Sequence, residues 1–175
     1  MKFIIRTMKW LIAVSIFLSM AACSDNTGDA NTQKLTPESL EKPSNKVVSL
    51  DVYKSPTCGC CEKWIEHLET SGFDTLIHHP TDLNEVKQSN AIAPRYQSCH
   101  TAVSSEGYVF EGHIPAHLIQ RFLSSPPQNA IGLAVPGMPV GSPGMEMGDR
   151  RDSYNIMLLK TDGSAEVYAP IGTKK

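Results

Sequence analysis

The chain has 175 residues, 41% of them hydrophobic and 19% charged, with a formal net charge of −2. That length and apolar content suit one ordinary domain with a buried core and exclude a disordered chain.

Residues 1–22 read as an export signal. Lys2, Arg6 and Lys9 precede and enter the apolar run WLIAVSIFL of residues 10–18, which closes on SMAAC at residues 19–23. A basic start, an apolar run too short for a mature span and small residues before a cleavage point are the marks of such a signal. Cys23 after Ala21-Ala22 resembles a bacterial lipoprotein signal, with Met20 where Leu is usual, so that Cys23 would be lipidated and become the mature N-terminus. The alternative is a plain signal cut nearby. Either reading puts the domain outside the cytoplasm, on the periplasmic side; with a lipid anchor, Ser24 rather than Asp after Cys23 points to the outer membrane. Removing residues 1–22 takes away three basic side chains and no acidic one, leaving 13 Lys and Arg against 18 Asp and Glu. A net charge of −5 follows, which excludes a basic surface for nucleic acid. Residues 23–46 are polar and carry Pro37 and Pro43, the composition of a flexible tether.

The domain is expected over residues 47–175. Val48, Leu50 and Val52 alternate with Ser49 and Asp51, predicting a strand that ends before Ser55-Pro56. A cysteine-bearing turn follows. Residues 62–71 put Trp64, Ile65 and Leu68 on one helical face, and Gly72 stops the helix. A second strand over residues 73–77 ends at His78-His79, expected to be solvated, and residues 82–90 form a second helix with Asp82 at its start. Two β-like runs around Ser104-Ser105-Glu106-Gly107 predict a hairpin that opens at Cys99, and Pro115 suits the first turn of a helix carrying Leu118, Ile119, Phe122 and Leu123. The order β, cysteine turn, α, β, α, β, β, α is that of a thioredoxin-like α/β domain. Residues 132–148 read as a Met/Gly/Pro-rich loop insertion, and residues 154–168 as an extra C-terminal hairpin around Thr161-Asp162-Gly163-Ser164.

The stretch SPTCGCCEKW, residues 55–64, carries the chemistry. Cys58 and Cys61 have C-x-x-C spacing at a strand-to-helix turn, where thioredoxin-like proteins hold a redox pair, and in that fold Cys99 would face them. The helix N-terminus stabilises thiolates, which serves a nucleophile and a metal ligand equally. Cys60 separates the two uses: a dithiol oxidoreductase working through Cys58 and Cys61 needs two sulfurs, and a third invites scrambling. Four soft sulfurs from Cys58, Cys60, Cys61 and Cys99 suit Cu(I), with zinc less suited because adjacent cysteines bind one tetrahedral ion awkwardly. Two disulfides stapling an exported domain form the third reading.

Met138, Met145 and Met147 lie in the Gly/Pro loop, either as thioethers for Cu(I) or as flexible apolar side chains over the core. Among the histidines, His113 ranks first and His100 second as imidazole ligands. Pro115 makes His113 a pre-helical residue, which weakens any pairing with His117, and His67 reads as a surface histidine.

The segments YKSPTCGCCEKWIEHLETSGF, SCHTAV with GYVFEGHIPAHLIQRFL, and GLAVPGMPVGSPGME, in that order, resemble the bacterial CopG-type copper-resistance family across residues 47–170. The resemblance implies an exported, thioredoxin-like protein that binds several copper ions through its cysteines and leaves open redox activity toward copper. It places the family's motif residues on Cys58, Cys60, Cys61, Cys99, His113, Met138 and Met145. Copper-export or copper-carrier proteins are the partners it implies, and a binding protein is favoured over an enzyme.

Overall fold

The structure, a computed structural model, describes residues 47–172; the export signal, Cys23 and the tether lie outside the described residues. Strand β1, Val48–Lys54, alternates as its pattern requires, with Leu50, Val52 and Lys54 buried. It runs parallel to β2, Phe73–His78, and antiparallel to β3, His100–Ser104. Strand β4, Val109–Glu111, forms a hairpin with β3. Beyond it lie β5, Ala130–Ala134, then β6, Tyr154–Lys160, and β7, Ala165–Ile171, completing a seven-stranded mixed sheet in the order β2-β1-β3-β4-β5-β6-β7.

Among the described residues three α-helices complete the mixed α/β fold: α1, Gly59–Thr70; α2, Leu83–Ser89; and α3, Ala116–Ser124. Helix α1 buries Cys61, Trp64, Ile65 and Leu68, the spacing of one helical face, and ends where Gly72, at φ +89°, donates its N–H to Glu69 O. Asp82 caps α2, its carboxylate accepting from Asn84 N. Helices α1 and α3 share the main core with Leu50, Val52, Phe110, Leu133 and Ile156. A smaller cluster of Ile92, Val109, Ala134 and Leu159 takes the alternate positions of β4 and β5, so the two cores lie on opposite faces of the sheet.

The element order from β1 to α3 follows the sequence expectation, and the terminal hairpin is present as β6 and β7. Strand β5 was not foreseen: Gly132, read as the start of an insertion, sits inside it, and the irregular loop spans residues 135–153 instead. A five-residue strand containing a glycine has too little alternation to announce itself. The glycine is there for closeness. At φ +154°, a Cβ at Gly132 would stand 1.8 Å from Val109 O in the parallel β4·β5 ladder.

His67 also departs from the surface role expected of it. Its Nε2 accepts the N–H of Ala116 at 3.0 Å, satisfying an orphan donor at the start of α3 and tying α1 to α3. Burial lowers its pKa, with Glu146 opposing, so the neutral ring that this bond requires is favoured. Trp64 reinforces the tie, donating Nε1–H to Ile114 O at 2.9 Å from a fully buried position.

The G132A variant is expected to lose about 1–3 kcal/mol of stability, the range for an overpacked, strained backbone. Urea denaturation checks this; a midpoint equal to that of the wild type would show that β4 and β5 part without cost.

Candidate metal centre

The centre begins where β1 stops. Fully buried Lys54 closes the strand, its ammonium reaching Ser55 O at 3.0 Å and Glu62 at 2.6 Å, which braces the chain on both sides of the cysteine turn. Cys58 is the N-cap of α1 in an extended conformation, and its N–H donates to Ser55 O at 3.1 Å. Cys60 and Cys61 therefore fall in the first helical turn, where free backbone N–H groups and the helix dipole favour negative charge.

Cys58 and Cys61 are joined by a disulfide with Cα atoms 5.3 Å apart, while Cys60 and Cys99 are free. Cys60 Sγ stands 3.6 Å from Cys58 Sγ, and Cys99 Sγ stands 3.5 Å from Cys61 Sγ across 38 residues of sequence. All four sulfurs lie within 4.8 Å of one another. The structure thus brings together the four cysteines that the sequence pointed to, and adds that two of them are oxidised.

A second group overlaps the first at Cys99. Its sulfur is 3.1 Å from His113 Nε2 and 3.4 Å from His100 Nδ1, and these three ligand atoms also fall within 4.8 Å of one another. His113 Nδ1 lies 2.8 Å from Pro143 O. A carbonyl only accepts, so Nδ1 carries the proton and Nε2 turns a lone pair toward the Cys99 sulfur. His100 is fully buried between Trp64, at 4.2 Å between ring centroids, and His113, at 4.9 Å. Its Nε2 is the one buried side-chain nitrogen or oxygen without a hydrogen-bond partner among the described residues.

Burial dominates the protonation states here. It pushes the Cys99 thiol up to about 12, with Cys60 adding to the effect, and holds His113 and, more strongly, His100 below the usual imidazole value. At neutral pH this second group, the histidine wing of the centre, is a thiol facing two neutral imidazoles. A soft cation that displaces the thiol proton converts this set into one thiolate and up to two nitrogen donors. With the disulfide reduced, three further sulfurs are in reach, a donor set that fits a soft metal.

The Gly/Pro loop is seated on this centre. Gly144, at φ +84°, lies so close that a Cβ would stand 2.6 Å from Cys60 O and 2.9 Å from Trp64 N. The Glu146 carboxylate accepts Gly144 N at 3.0 Å. On the other side Gly137 O accepts the Ser98 hydroxyl and Gly137 N donates to Gln97 O, so the loop touches both the cysteine turn and the approach to Cys99. Met138 and Met145 each follow one of these contact glycines; Met138 and Met147 are exposed and Met145 is half-buried. His117 stands inside α3 and His113 before it, so the two do not share a helical face. Sequence reasoning missed the Lys54–Glu62 brace, the Trp64–His100 contact and the Pro143 carbonyl. Only the Gly/Pro density of the loop hinted at any of them.

Residues 96–145 match the family described as "Protein of unknown function, DUF411", a span that contains Cys99, His100, His113, Met138 and Met145. Two solved structures, Form 2 and Form 1 of a copper resistance protein CopG, are 42% identical to the chain, with TM-scores of 0.69 and 0.68. In each case the match covers 73% of this chain and 100% of the other. No curated protein matches the chain.

Two outcomes follow from this geometry. The G144A variant is expected to lift the loop from the cysteine turn, costing about 1–3 kcal/mol and speeding alkylation of Cys60; unchanged melting and thiol reactivity would show that the close seat is dispensable. The buried histidines predict acid sensitivity. Because the folded pKa values of His100 and His113 lie below the ordinary 6.5, the unfolded chain binds more protons as pH falls. Stability is therefore full above that value and declines below it, by up to about 1.4 kcal/mol per pH unit for each ring. Urea midpoints of the domain between pH 7 and pH 5 test this, and a H100F variant should flatten the slope.

Proposed function

Because the chain belongs to the CopG-type copper-resistance family, we propose that it binds copper as Cu(I) through Cys58, Cys60, Cys61 and Cys99 in a thiolate-bridged cluster. The observation that carries this reading is the convergence of four cysteine sulfurs within 4.8 Å, one of them brought from 38 residues away. Thiolates that bridge and a cation that accepts low coordination suit each other, and Cu(I) is that cation. Zinc fits less well, since Cys60 and Cys61 are neighbours in the first turn of one helix. His113 Nε2 and, behind it, His100 add nitrogen donors, and Met138 and Met145 offer thioethers from the loop.

The β1-α1-β2 unit with a C-x-x-C pair at the helix start supports a thioredoxin-like reading of the fold, its redox position given over to metal. The basic, apolar and small-residue pattern before Cys23 supports export, cleavage and lipid attachment on the periplasmic side, at the outer membrane, with residues 23–46 as tether. There the protein serves resistance by holding copper, passing it to an export or carrier protein, or cycling its oxidation state.

The disulfide makes loading conditional. Cys58–Cys61 must exchange with an external dithiol reductant, which supplies two electrons and two protons and leaves as a disulfide, before all four sulfurs are free to bind. The same disulfide is what a thiol–disulfide oxidoreductase would use, with Cys58 attacked first and Cys61 resolving. That reading leaves Cys60 and Cys99 without a task, whereas the copper reading uses all four.

Anaerobic titration of the reduced protein with Cu(I) against a competing chelator decides between them. The expected result is tight uptake beyond a single equivalent with all four thiols protected, and a clear fall in stoichiometry in C60S/C99S. Failure to take up Cu(I), together with insulin reduction that depends on Cys58, would overturn the copper reading in favour of the oxidoreductase.

A further inference from the structure

Lys87 belongs to no group of candidate ligands, yet it is buried, only 3% exposed, on the short helix α2. Its ammonium donates to Glu111 Oε1 at 2.5 Å and to Thr101 Oγ1 at 3.0 Å. Glu111 is fully buried at the end of β4, opposite Thr101 in the β3·β4 register, and Oε2 accepts the Thr101 hydroxyl at 2.6 Å. The remaining contact of the carboxylate is with backbone: Oε1 also accepts the N–H of Ser98 at 2.6 Å.

That last bond lies next to the centre. Strand β3 begins at His100, so Ser98 and Cys99 have already left the ladder, and the carboxylate takes the Ser98 N–H where no strand partner does. Just past β4, Gly112 N donates to His100 O at 3.1 Å, and a Cβ at Gly112 would stand 2.7 Å from Ser98 Cβ. Cys99 and His113 thus both emerge from the open end of one hairpin, and Glu111 ties that end together.

A buried ion pair is a weak source of stability, because desolvation offsets most of the attraction and an apolar pair of similar size serves as well. Here burial raises the Glu111 pKa and Lys87 opposes it. What an apolar pair cannot do is accept a backbone N–H. We propose that Lys87 and Glu111 are positioning residues of the copper centre: the ammonium holds the carboxylate, and the carboxylate holds the Ser98 peptide, so that the Cys99 sulfur stays within reach of Cys61 and His113. This inference rests on the copper reading of the four cysteines.

The test compares the full, reduced chain as wild type, K87R, K87M and the apolar double variant K87M/E111L. The double variant removes both charges, so it remains informative where K87M alone unfolds around an uncompensated carboxylate. The first readout needs no metal: alkylation by iodoacetamide, located by peptide mass spectrometry, with Cys60 as reference within the same chain. In the double variant Cys99 is expected to react about tenfold faster relative to Cys60, the scale of one lost hydrogen bond to a charged group. K87R, which keeps a cation beside Glu111, is expected to restore much of the wild-type ratio. The second readout is thiol protection after Cu(I) loading, where Cys99 of the double variant should stay reactive while Cys58, Cys60 and Cys61 are shielded. A double variant that melts as a folded protein and matches the wild type in both readouts overturns the positioning role alone. A wild type that takes up no Cu(I) overturns the copper reading and this assignment with it, and the metal-free comparison then reports only how Cys99 is held.

Discussion

The antiparallel pairing of β1 with β3 is the constraint on which the centre depends. Its register sets Lys54 opposite His100, so the chain leaving β1 toward the cysteine turn and the chain arriving at β3 through Cys99 meet at one end of the sheet. From there the helical turn of α1 delivers Cys61 to within 3.5 Å of Cys99. A slip of β3 by one residue in that ladder would send His100 to the other face and part the sulfurs.

Around this register the structure stacks supports that fix direction. Trp64 lies against His100 and bonds the carbonyl of Ile114; His67 takes the first N–H of α3; the Gly144 peptide sits on Cys60; the Pro143 carbonyl orients His113. The Pro143, Trp64 and Gly144 contacts touch the candidate ligand residues His113, His100 and Cys60 directly, and the bonds of His67 and Trp64 to Ala116 and Ile114 tie α1 to α3 beside them. The electrostatic consequence is a wing kept neutral by burial: a protonated thiol and two uncharged imidazoles. Such a wing is tolerated in the apolar interior without a metal and gains charge only when a cation arrives to balance it.

The oxidised pair adds a second level of control. Joined, Cys58 and Cys61 withhold two of the four sulfurs; reduced, they return them at the positive end of a helix. Thiol redox state at this one bond thus sets how many of the four sulfurs are free.

The alternation of Val48, Leu50 and Val52, the face of Trp64, Ile65 and Leu68, and the spacing of Cys58, Cys60 and Cys61 are local signals, and they were legible because period and spacing are properties of the chain itself. They determined the element order through α3, the helical start that carries three cysteines, and the interest of Cys99 and His113. Strand β5 was not legible, since a glycine chosen for close approach to Val109 erases the alternation that would reveal it. The Cys58–Cys61 disulfide joins the pair that the C-x-x-C spacing marked, whereas the approach of Cys99 to within 3.5 Å of Cys61 depends on which segments meet. The helix-tying role of His67, the tautomer of His113 and the place of Lys87 behind Cys99 were decided only by tertiary structure. These are contacts between segments far apart in sequence, and a hydrogen-bond partner from another element leaves no trace in the spacing of the residue it holds.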